Sequence, residues 1–589
     1  MFGTPPQVRR ALQPNNLMIP AQLPVNGINA RDAYARMAPD DAVDLMNVLS
    51  NPYGLQVRNG YQEFATNIGA NDTIGTMMSY YPATASITGN PNLFQHDVMA
   101  PPPPPMLAAS LGNVGGQIFA CTSGQIFDVT AGGSGPWVAQ INVAVANDLW
   151  SWCNFQNEAG AFLIACNYDG GYYIFGQVGF SDGFSNGFSV ENVGFKKVLQ
   201  GAISGQIFGT NPDNFVFVMA WKRRLWFIEK NTTRAWYLPV DQITGTVAPF
   251  DFGANFPHGG RLEVLINWTI DDGIGIDDNL IAISSEGDVV IYKGTDPNDS
   301  ATFGLVGIWY VGSVPAGKRF AEMLGGDVHI LSVNGLSQAS QLIAMGQIAN
   351  EVTENTGSKI DPLLRSLMQS SQNEEAWYCK FIPHEQIFAI GVPEVYSGQG
   401  VTQLAYKVRQ KAWSRLENLP FFTIINHSGV VFGGGRLSAS GVNGGGKVYL
   451  VFDNATDNQL LDNPQSGDMI RARVTPAFNS FGSAGMNKRF TMIRPTFVSS
   501  GNVSAKVTIL TDFNRGTQFT APTLPSSFGD VWNVGQWDVA KWSGVGLTRH
   551  KWLGVLGSGY SATCQIDAVA LGGTVLTSID WNVVAGGIL

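Results

Sequence analysis

Four aspartates around two glycines form a group of candidate metal ligands. The segment WTIDDGIGIDDNLIAIS places the carboxylates at two neighbouring pairs of positions, Asp271, Asp272, Asp277 and Asp278. Hard oxygen ligands in a flexible glycine loop suit Ca²⁺, although this spacing differs from that of an EF-hand loop. A solvated loop that leads into a strand at residues 280–284 explains the same letters. We favour the solvated loop, and a Ca²⁺ site is the alternative.

A second candidate site places cations between aromatic residues. The segment WKRRLWF contains Lys222, Arg223 and Arg224. Such interleaving can bind nucleic acid, because bases stack on aromatic rings. A two-residue hairpin corner with arginine packed on tryptophan explains the segment too. We favour the hairpin, since the chain carries a net charge of −10 and tight nucleic-acid binding needs clustered cations.

Tests for catalytic motifs give no positive result. The six histidines lie outside any recognisable triad setting, and no GxSxG, Walker or HExxH motif occurs. The five cysteines have irregular spacing without a CxxC pair, which is typical of buried free thiols in a reducing cytosol. We therefore expect no enzyme and no cofactor. A carboxylate pair of a glycoside hydrolase stays open, because any two of many carboxylates could meet in space.

Composition indicates a β-rich protein with much buried contact surface. Among 589 residues, 69 are glycine and 14% are charged, against a usual charged share of about 25%. Few charges on the outside are typical of a part of a larger particle. No apolar run approaches the ~20 residues of a membrane span, and none resembles the core of a signal peptide.

The middle of the chain repeats short β-branched or aromatic strands that meet at glycine turns. The tetrapeptide GQIF occurs at residues 116–119, 124–127 and 205–208, at irregular spacing. Strand pairs at this density predict a mainly β fold with a β-propeller, which we expect to have six blades. A pair of large β-sandwiches is the competing fold. Apolar residues at helical spacing within residues 341–371 predict one helical island.

The pattern divides the chain into five segments. Pro39 with Asp40 and Asp41 predicts a helix start, residues 51–54 stop that helix, and Asn59-Gly60 predicts a two-residue hairpin turn. The segments are an N-terminal arm (1–23), a helix plus hairpin assembly segment (24–66), a linker with a proline run (67–105), the β-propeller (106–453) and a C-terminal β-sandwich (454–589).

Two segments resemble the tail nozzle family of short-tailed phages, also called packaged-DNA stabilisation or lower tail tubular proteins. The first is residues 27–66, and the second lies within residues 220–340 and includes WKRRLWF, the acidic glycine loop and VIYKGTDP. The resemblance covers about 300 residues and leaves out the arm and the C-terminal domain. The residues that carry it in the first segment form the expected assembly signature: Asn29, Arg31, Asp40, Asp41, Asn47, Arg58, Gly60 and Tyr61.

The resemblance implies a structural virion protein without catalytic residues. Such proteins form a ring, commonly of six subunits, below the portal and adaptor proteins, and tail fibres or spikes attach to them. The ring closes the tail channel, retains packaged DNA and opens for ejection. We therefore expect a homo-oligomer in the virion tail, made in the host cytoplasm, past which DNA moves without tight binding. A receptor-binding or glycan-cleaving tailspike-like propeller and a generic propeller scaffold are the alternatives.

Overall fold

A computed structural model describes most of the chain. The described residues are 16–82, 116–141, 147–158, 160–176, 194–271, 276–299, 302–345, 356–393, 401–437, 444–463, 466–501, 503–514 and 547–586. Strands dominate the described part. They divide into two compact units, residues 59–409 with 415–468 and residues 1–58 with 410–414 and 469–589, which we call the propeller unit and the sandwich unit.

The N-terminal half of the chain contains twenty-two described strands and three short 3-10 turns, at Ile68–Asn71, Pro212–Asn214 and Gly253–Asn255. The strands are β1 (Asn16–Ala21), β2 (Ala42–Met46), β3 (Val48–Asn51), β4 (Gly54–Val57), β5 (Gly60–Ala65), β6 (Thr76–Tyr80), β7 (Gln117–Thr122), β8 (Gln125–Asp128), β9 (Trp150–Asn157), β10 (Gly160–Asn167), β11 (Tyr172–Gly176), β12 (Lys196–Lys197), β13 (Ile207–Phe208), β14 (Phe215–Trp221), β15 (Arg224–Glu229), β16 (Arg234–Tyr237), β17 (Gly245–Thr246), β18 (Ala248–Asp251), β19 (Leu262–Asp271), β20 (Ile276–Ser284), β21 (Asp288–Gly294) and β22 (Phe303–Tyr310).

The C-terminal half contains two helices and the remaining described strands. The helices are α1 (Ala339–Met345) and α2 (Asp361–Ser371). The strands are β23 (Ala321–Leu324), β24 (Asp327–Ser332), β25 (Gly335–Gln338), β26 (Tyr378–Ile382), β27 (Ile387–Val392), β28 (Val401–Lys407), β29 (Ala412–Leu419), β30 (Phe421–His427), β31 (Val430–Gly435), β32 (Val448–Asn454), β33 (Ile470–Pro476), β34 (Lys488–Ser499), β35 (Val503–Thr511), β36 (Leu547–His550), β37 (Leu553–Gly559), β38 (Ala562–Ala570) and β39 (Val575–Ala585).

The propeller unit is a ring of seven small sheets, counted over the described residues. In chain order these sheets, blades 1 to 7, are β6-β7-β8, β9-β10-β11-β12, β14-β15-β16-β18, β19-β20-β21-β22, β23-β24-β25, β26-β27-β28-β29 and β30-β31-β32-β5. The first strand of each blade contacts the first strand of the next, and β30 contacts β6, so the circle closes. The predicted β-propeller is confirmed, and the predicted number of six blades is wrong.

Two strands of the propeller lie outside its predicted boundaries, residues 106–453. β6, the first strand of blade 1, is TMMSY within the segment predicted as a linker. β5, from the segment predicted for assembly, pairs antiparallel with β32 and completes blade 7. The ring is therefore closed by an N-terminal strand that joins the last sheet. Glu63 on this strand accepts from Lys447 Nζ at 2.6 Å.

Middle strands of the blades are buried on both faces because each blade packs between two neighbours. All eight residues of β10, GAFLIACN, are buried. Its side chains alternate between two apolar clusters: Phe162 and Ile164 join one that includes blade 3 residues, whereas Leu163 and Ala165 join one that includes blade 1 residues. This alternation follows from the two-residue period of a strand, and it explains the continuous apolar runs of the sequence.

The sandwich unit consists of two sheets that share one apolar core. One sheet has the order β3-β4-β39-β34-β36, with β1 on β39 and β37 on β34, and the other contains β2, β33, β38 and β35. Core residues from both sheets include Leu45, Val474, Ile493, Ile566 and Ile579. The predicted C-terminal sandwich is thus present. It begins near residue 469 rather than 454 and includes the N-terminal strands β1 to β4.

The predicted helix after Pro39 is wrong. Residues Ala42–Met46 and Val48–Asn51 form β2 and β3, which pair with β33 and β4. Asn47 between them has φ 57°, a left-handed conformation that a helix cannot contain. The apolar residues between 42 and 49 fit the period of a helix and that of a strand. The segment forms strands because it pairs with β33 and β4.

The predicted hairpin at Asn59-Gly60 is also wrong. β4 turns back on β3 through Pro52-Tyr53, with Asn51 opposite Gly54, and β5 pairs with β32 instead. Gly60 does not have a positive φ. A Cβ at this position would lie 1.9 Å from the carbonyl oxygen of Thr456, so close backbone approach requires the glycine.

The predicted helical island is confirmed in its second part. α2 spans Asp361–Ser371 with Pro362 in its first turn, and it buries Leu364, Leu367 and Met368. It contacts β25, the outer strand of blade 5. No helix of the described residues is long and apolar enough to cross a membrane.

Candidate functional site

A central cavity of about 570 Å³ lies on the propeller axis. All seven inner strands contribute to its wall, from Thr76 of β6 through Ser151 of β9 to Thr423 of β30. Such a volume suits a small molecule. A sphere of this volume is about 10 Å across. Duplex DNA cannot pass through it, because the major groove alone is about 12 Å wide.

Charged side chains in the cavity wall have partners within the chain. Lys380 Nζ lies 2.9 Å from Glu322 Oε1. Lys318 Nζ lies 2.9 Å from the buried Glu263 Oε2, and it also lies over the ring of Tyr168. Arg319 donates from Nη1 to the carbonyl oxygen of Gly75 at 3.0 Å.

Among the described residues, neither ion pair brings two carboxylates together. Glycoside hydrolysis needs two carboxylates facing one substrate bond, whereas Glu322 and Glu263 are each bound by a different lysine. Burial raises the pKa of the Cys379 thiol and of the Tyr378 phenol in the cavity wall, which disfavours the anionic form of both. Burial raises the pKa of Cys153 to about 12. All five cysteines are free, as predicted, and four of them are buried.

The two candidate sites of the sequence meet each other at the edge between blades 3 and 4. Lys222 Nζ lies 3.2 Å from Asp278 Oδ2, and Thr269 Oγ1 donates to Asp278 Oδ1 at 2.8 Å. A cation considered as a nucleic-acid contact thus pairs with an aspartate considered as a Ca²⁺ ligand. Both residues already have partners within the chain.

The remaining aspartates of the acidic segment do not complete a metal site in the described structure. Asp271 ends β19 and Asp277 lies in β20, where the register places Asp271 opposite Ile276 and Asp277 opposite Ile270. Asp272 and the side chains of Asp271 and Asp277 lie outside the described residues. Among the described residues, no three potential ligands come together as a metal site.

The segment WKRRLWF forms the hairpin that we favoured. Trp221 pairs with Arg224, and Lys222 and Arg223 form the two-residue turn with φ of 49° and 59°. Positive φ at both central residues is the type I′ arrangement, which normally takes Asn-Gly. Arg223 Nε donates to Asp241 Oδ1 at 2.9 Å, and Arg224 lies 3.4 Å from Asp296.

Four residues of the expected assembly signature form a polar turn in the sandwich unit. Asn29 Nδ2 donates to Asp41 Oδ2 at 2.7 Å, and Asn29 Oδ1 accepts from the backbone N–H groups of Arg31 and Asp32. Asp40 accepts from Asn26 Nδ2 at 2.7 Å. Asn29 and Asp41 are buried. These residues hold the chain entry into β2.

The other signature residues are buried too. Arg58 donates from Nε to Asn47 Oδ1 at 3.0 Å, and Asn47 Nδ2 donates to the carbonyl oxygen of Arg471 at 2.8 Å. In the propeller unit, Tyr61 packs edge-on against Phe421 and Tyr449, and Gly60 lies against Thr456. The signature residues therefore contribute to the chain's own fold. They form three separate groups of contacts: the turn around Asn29, the pair of Asn47 and Arg58, and the packing of Gly60 and Tyr61.

Two contacts of histidine side chains were not predicted from the sequence. Ser79 Oγ and His427 Nδ1 are 2.6 Å apart, but both side chains are buried, and burial lowers the pKa of His427. His258 Nδ1 lies 2.6 Å from the buried Asp288, and its half-exposed ring stacks on Tyr310. Ser79 and His427 are 348 residues apart, so only the fold reveals their contact. Within the described residues, neither pair has the exposed nucleophile that a catalytic triad needs.

Comparison with known proteins gives similarity at the level of solved structures alone. No protein-family model and no curated protein matches the chain. The structure of BBS1N in complex with ARL6DN is similar with 10% identity and a TM-score of 0.32, covering 67% of this chain and 98% of that one. Saccharomyces cerevisiae Sqt1 is similar with 12% identity and a TM-score of 0.33, covering 71% and 96%. Likeness at these values carries no argument about function.

Proposed function

We propose that the chain is a structural subunit of the tail nozzle ring of a short-tailed phage. In this proposal identical copies surround the tail channel, retain the packaged DNA, allow its ejection and anchor tail fibres. Portal and adaptor proteins are the partners above the ring. The protein acts by shape and contact, without a cofactor, and its location is the virion tail.

The observation that carries the proposal is that residues on which the resemblance to the nozzle family depends are buried in the fold. Asn47 and Arg58 are buried against each other, and Trp221 and Trp226 of WKRRLWF are buried in blade 3. Buried residues determine the fold. A resemblance in these residues therefore supports a fold like that of the nozzle family, whose members act as structural proteins. In this proposal DNA passes along an axis between copies, since the central cavity of one propeller is of small-molecule size.

Within the part of the chain that the structure describes, the central cavity is the site that the glycan-cleaving alternative could use. Its charged residues Lys318, Glu322 and Lys380 could contact a polar ligand, but the lysine-bound carboxylates give hydrolysis little support. Receptor binding without cleavage remains the stronger form of this alternative.

Mass photometry of the full 63.3-kDa chain tests the proposal. We expect a species of six copies, together with no turnover of host glycans. A chain that stays monomeric at every concentration tested and cleaves host glycan would overturn the proposal in favour of the alternative.

A further inference from the structure

The central cavity of the propeller unit has an uneven distribution of charge. Among the described residues of its wall, the charged ones are Lys318, Arg319, Glu322 and Lys380, and all four belong to blades 5 and 6 or to the connection before blade 5. The described residues that the other blades contribute to the wall are uncharged. Three cations and one carboxylate therefore line the cavity of a chain whose net charge is −10.

Two carboxylates that lie next to these cations do not cancel the positive charge. The buried Glu263 binds Lys318, but it also binds Arg261 at 2.5 Å. Asp148 lies close to Arg319, and burial raises the pKa of this aspartate, which favours its neutral form. Even with every group ionised, the wall and these three neighbours have one positive charge in excess.

Lys380 is a cation of the wall that solvent reaches. Its side chain is 38% exposed, and that of its partner Glu322 is 25% exposed. An ammonium group has three N–H donors, and Glu322 Oε1 lies 2.9 Å from Lys380 Nζ. The ammonium can therefore bind Glu322 and the anionic group of a ligand at the same time, and such charge-assisted hydrogen bonds are strong.

Aromatic rings line the same cavity. Trp152 of blade 2 and Phe381 of blade 6 are half-buried residues of the wall, and the ring of Tyr168 lies 5.8 Å from Lys318 Nζ. The cavity volume of about 570 Å³ lies within the usual range of small-molecule sites. Ring surface combined with a local excess of positive charge suits a ligand that has a flat apolar body and an anionic group.

We propose that the central cavity binds a small aromatic carboxylate, with the carboxylate group at Lys380 and the ring on the uncharged part of the wall. A carboxylate balances one excess positive charge, whereas a phosphate monoester carries about −1.5 to −2 at pH 7. This inference goes beyond the proposed function and does not depend on it. The opposing interpretation is that the pair of Glu322 and Lys380 only joins blade 5 to blade 6.

Calorimetric titration with 2-naphthoate tests the proposal, and 2-naphthamide is the neutral probe of the same shape. We expect the wild-type chain to bind naphthoate about tenfold more tightly than naphthamide, because a hydrogen bond to a charged group contributes more than one between neutral groups. Absence of naphthoate binding, or equal affinity for the two probes, would overturn the proposal.

Two substitutions within the same ion pair should change the affinity in opposite directions. Lys380→Gln removes the cation and should weaken naphthoate binding about tenfold. Glu322→Gln removes the competing carboxylate and should strengthen it. Lys230→Gln is the matched control, because Lys230 is 42% exposed and pairs with Asp169 outside the cavity wall, and it should bind naphthoate like the wild type.

A purely structural ion pair would give a different result. Loss of either partner would then change the stability and the naphthoate affinity in the same direction, and that outcome would overturn the proposal. If Lys380→Gln does not fold, Glu322→Gln still tests the sign of the effect, and unchanged or weaker binding in that variant would contradict it. These titrations do not measure the oligomeric state, so a negative result leaves the nozzle proposal standing.

Discussion

At the residue scale, polar contacts inside the chain account for side chains that a reader of the sequence would assign to ligands. Lys222 and Asp278 neutralise each other at 3.2 Å, and Asn47 serves both Arg58 and the backbone of Arg471. A buried Arg58 without its acceptor would cost a few kcal/mol, so such contacts are constraints on the fold. The described partners of these side chains therefore lie within the chain itself.

Gly60 gives a prediction at this scale. Gly60→Ala should destabilise the propeller unit by about 1–3 kcal/mol, because the new methyl group would meet the Thr456 carbonyl oxygen where β5 joins blade 7. Urea unfolding measures the change. Gly304→Ala is the matched control, since that strand position has no atom within 4 Å of the added Cβ. Equal stability of the two variants would show that the close approach is absent.

At the element scale, periodicity predicted the strand-rich middle of the chain, α2 and the hairpin of WKRRLWF. It failed at residues 39–49, where apolar positions fit a helix as well as strands and only pairing with β33 and β4 decides. It also failed at Asn59-Gly60, because a turn dipeptide does not reveal that the next strand pairs with β32, almost 400 residues away. Long-range pairing also hid the seventh blade and the contact of Ser79 with His427.

The strained turn of blade 3 gives a prediction at this scale. Two non-glycine residues at positive φ cost about 1–2 kcal/mol each, whereas the partly exposed ion pairs of Lys222 and Arg223 contribute about 0–1 kcal/mol each. The double variant Lys222→Asn/Arg223→Gly should therefore be more stable by about 1 kcal/mol in urea unfolding. Lys222→Ala/Arg223→Ala, which loses the ion pairs and keeps the strain, should be less stable. A loss of stability in the Asn-Gly variant would show that the ion pairs dominate.

The contact of His427 in blade 7 with Ser79 in blade 1 predicts that the stability of the chain depends on pH. Burial lowers the pKa of His427 below its ordinary value of 6.5, so the unfolded chain binds the proton more tightly than the folded chain. Its contribution to stability is present above pH 6.5 and falls as the pH drops below it, by up to about 1.4 kcal/mol per pH unit.

Calorimetry at pH 7.5 and pH 5.5 measures this effect. His427→Gln can still reach Ser79 Oγ but does not titrate, so its melting temperature should fall less between the two pH values than that of the wild type. His384→Gln replaces an exposed ring and should follow the wild type. A wild-type pH dependence in His427→Gln would exclude His427 as the source.

At the scale of the whole molecule, the described propeller unit is a closed seven-bladed ring with a cavity of small-molecule size, and the sandwich unit contains both β1 and β39. Closure by β5 leaves the propeller without a free seam at blade 7. The nozzle proposal adds that identical copies of this chain assemble into a ring.

Electron microscopy of the purified chain, and of the particle that contains it, tests that claim most directly. The account predicts class averages of a ring of six copies around a central channel, with one propeller in each copy. Single propellers, both in the purified protein at every concentration and in the particle, would contradict it.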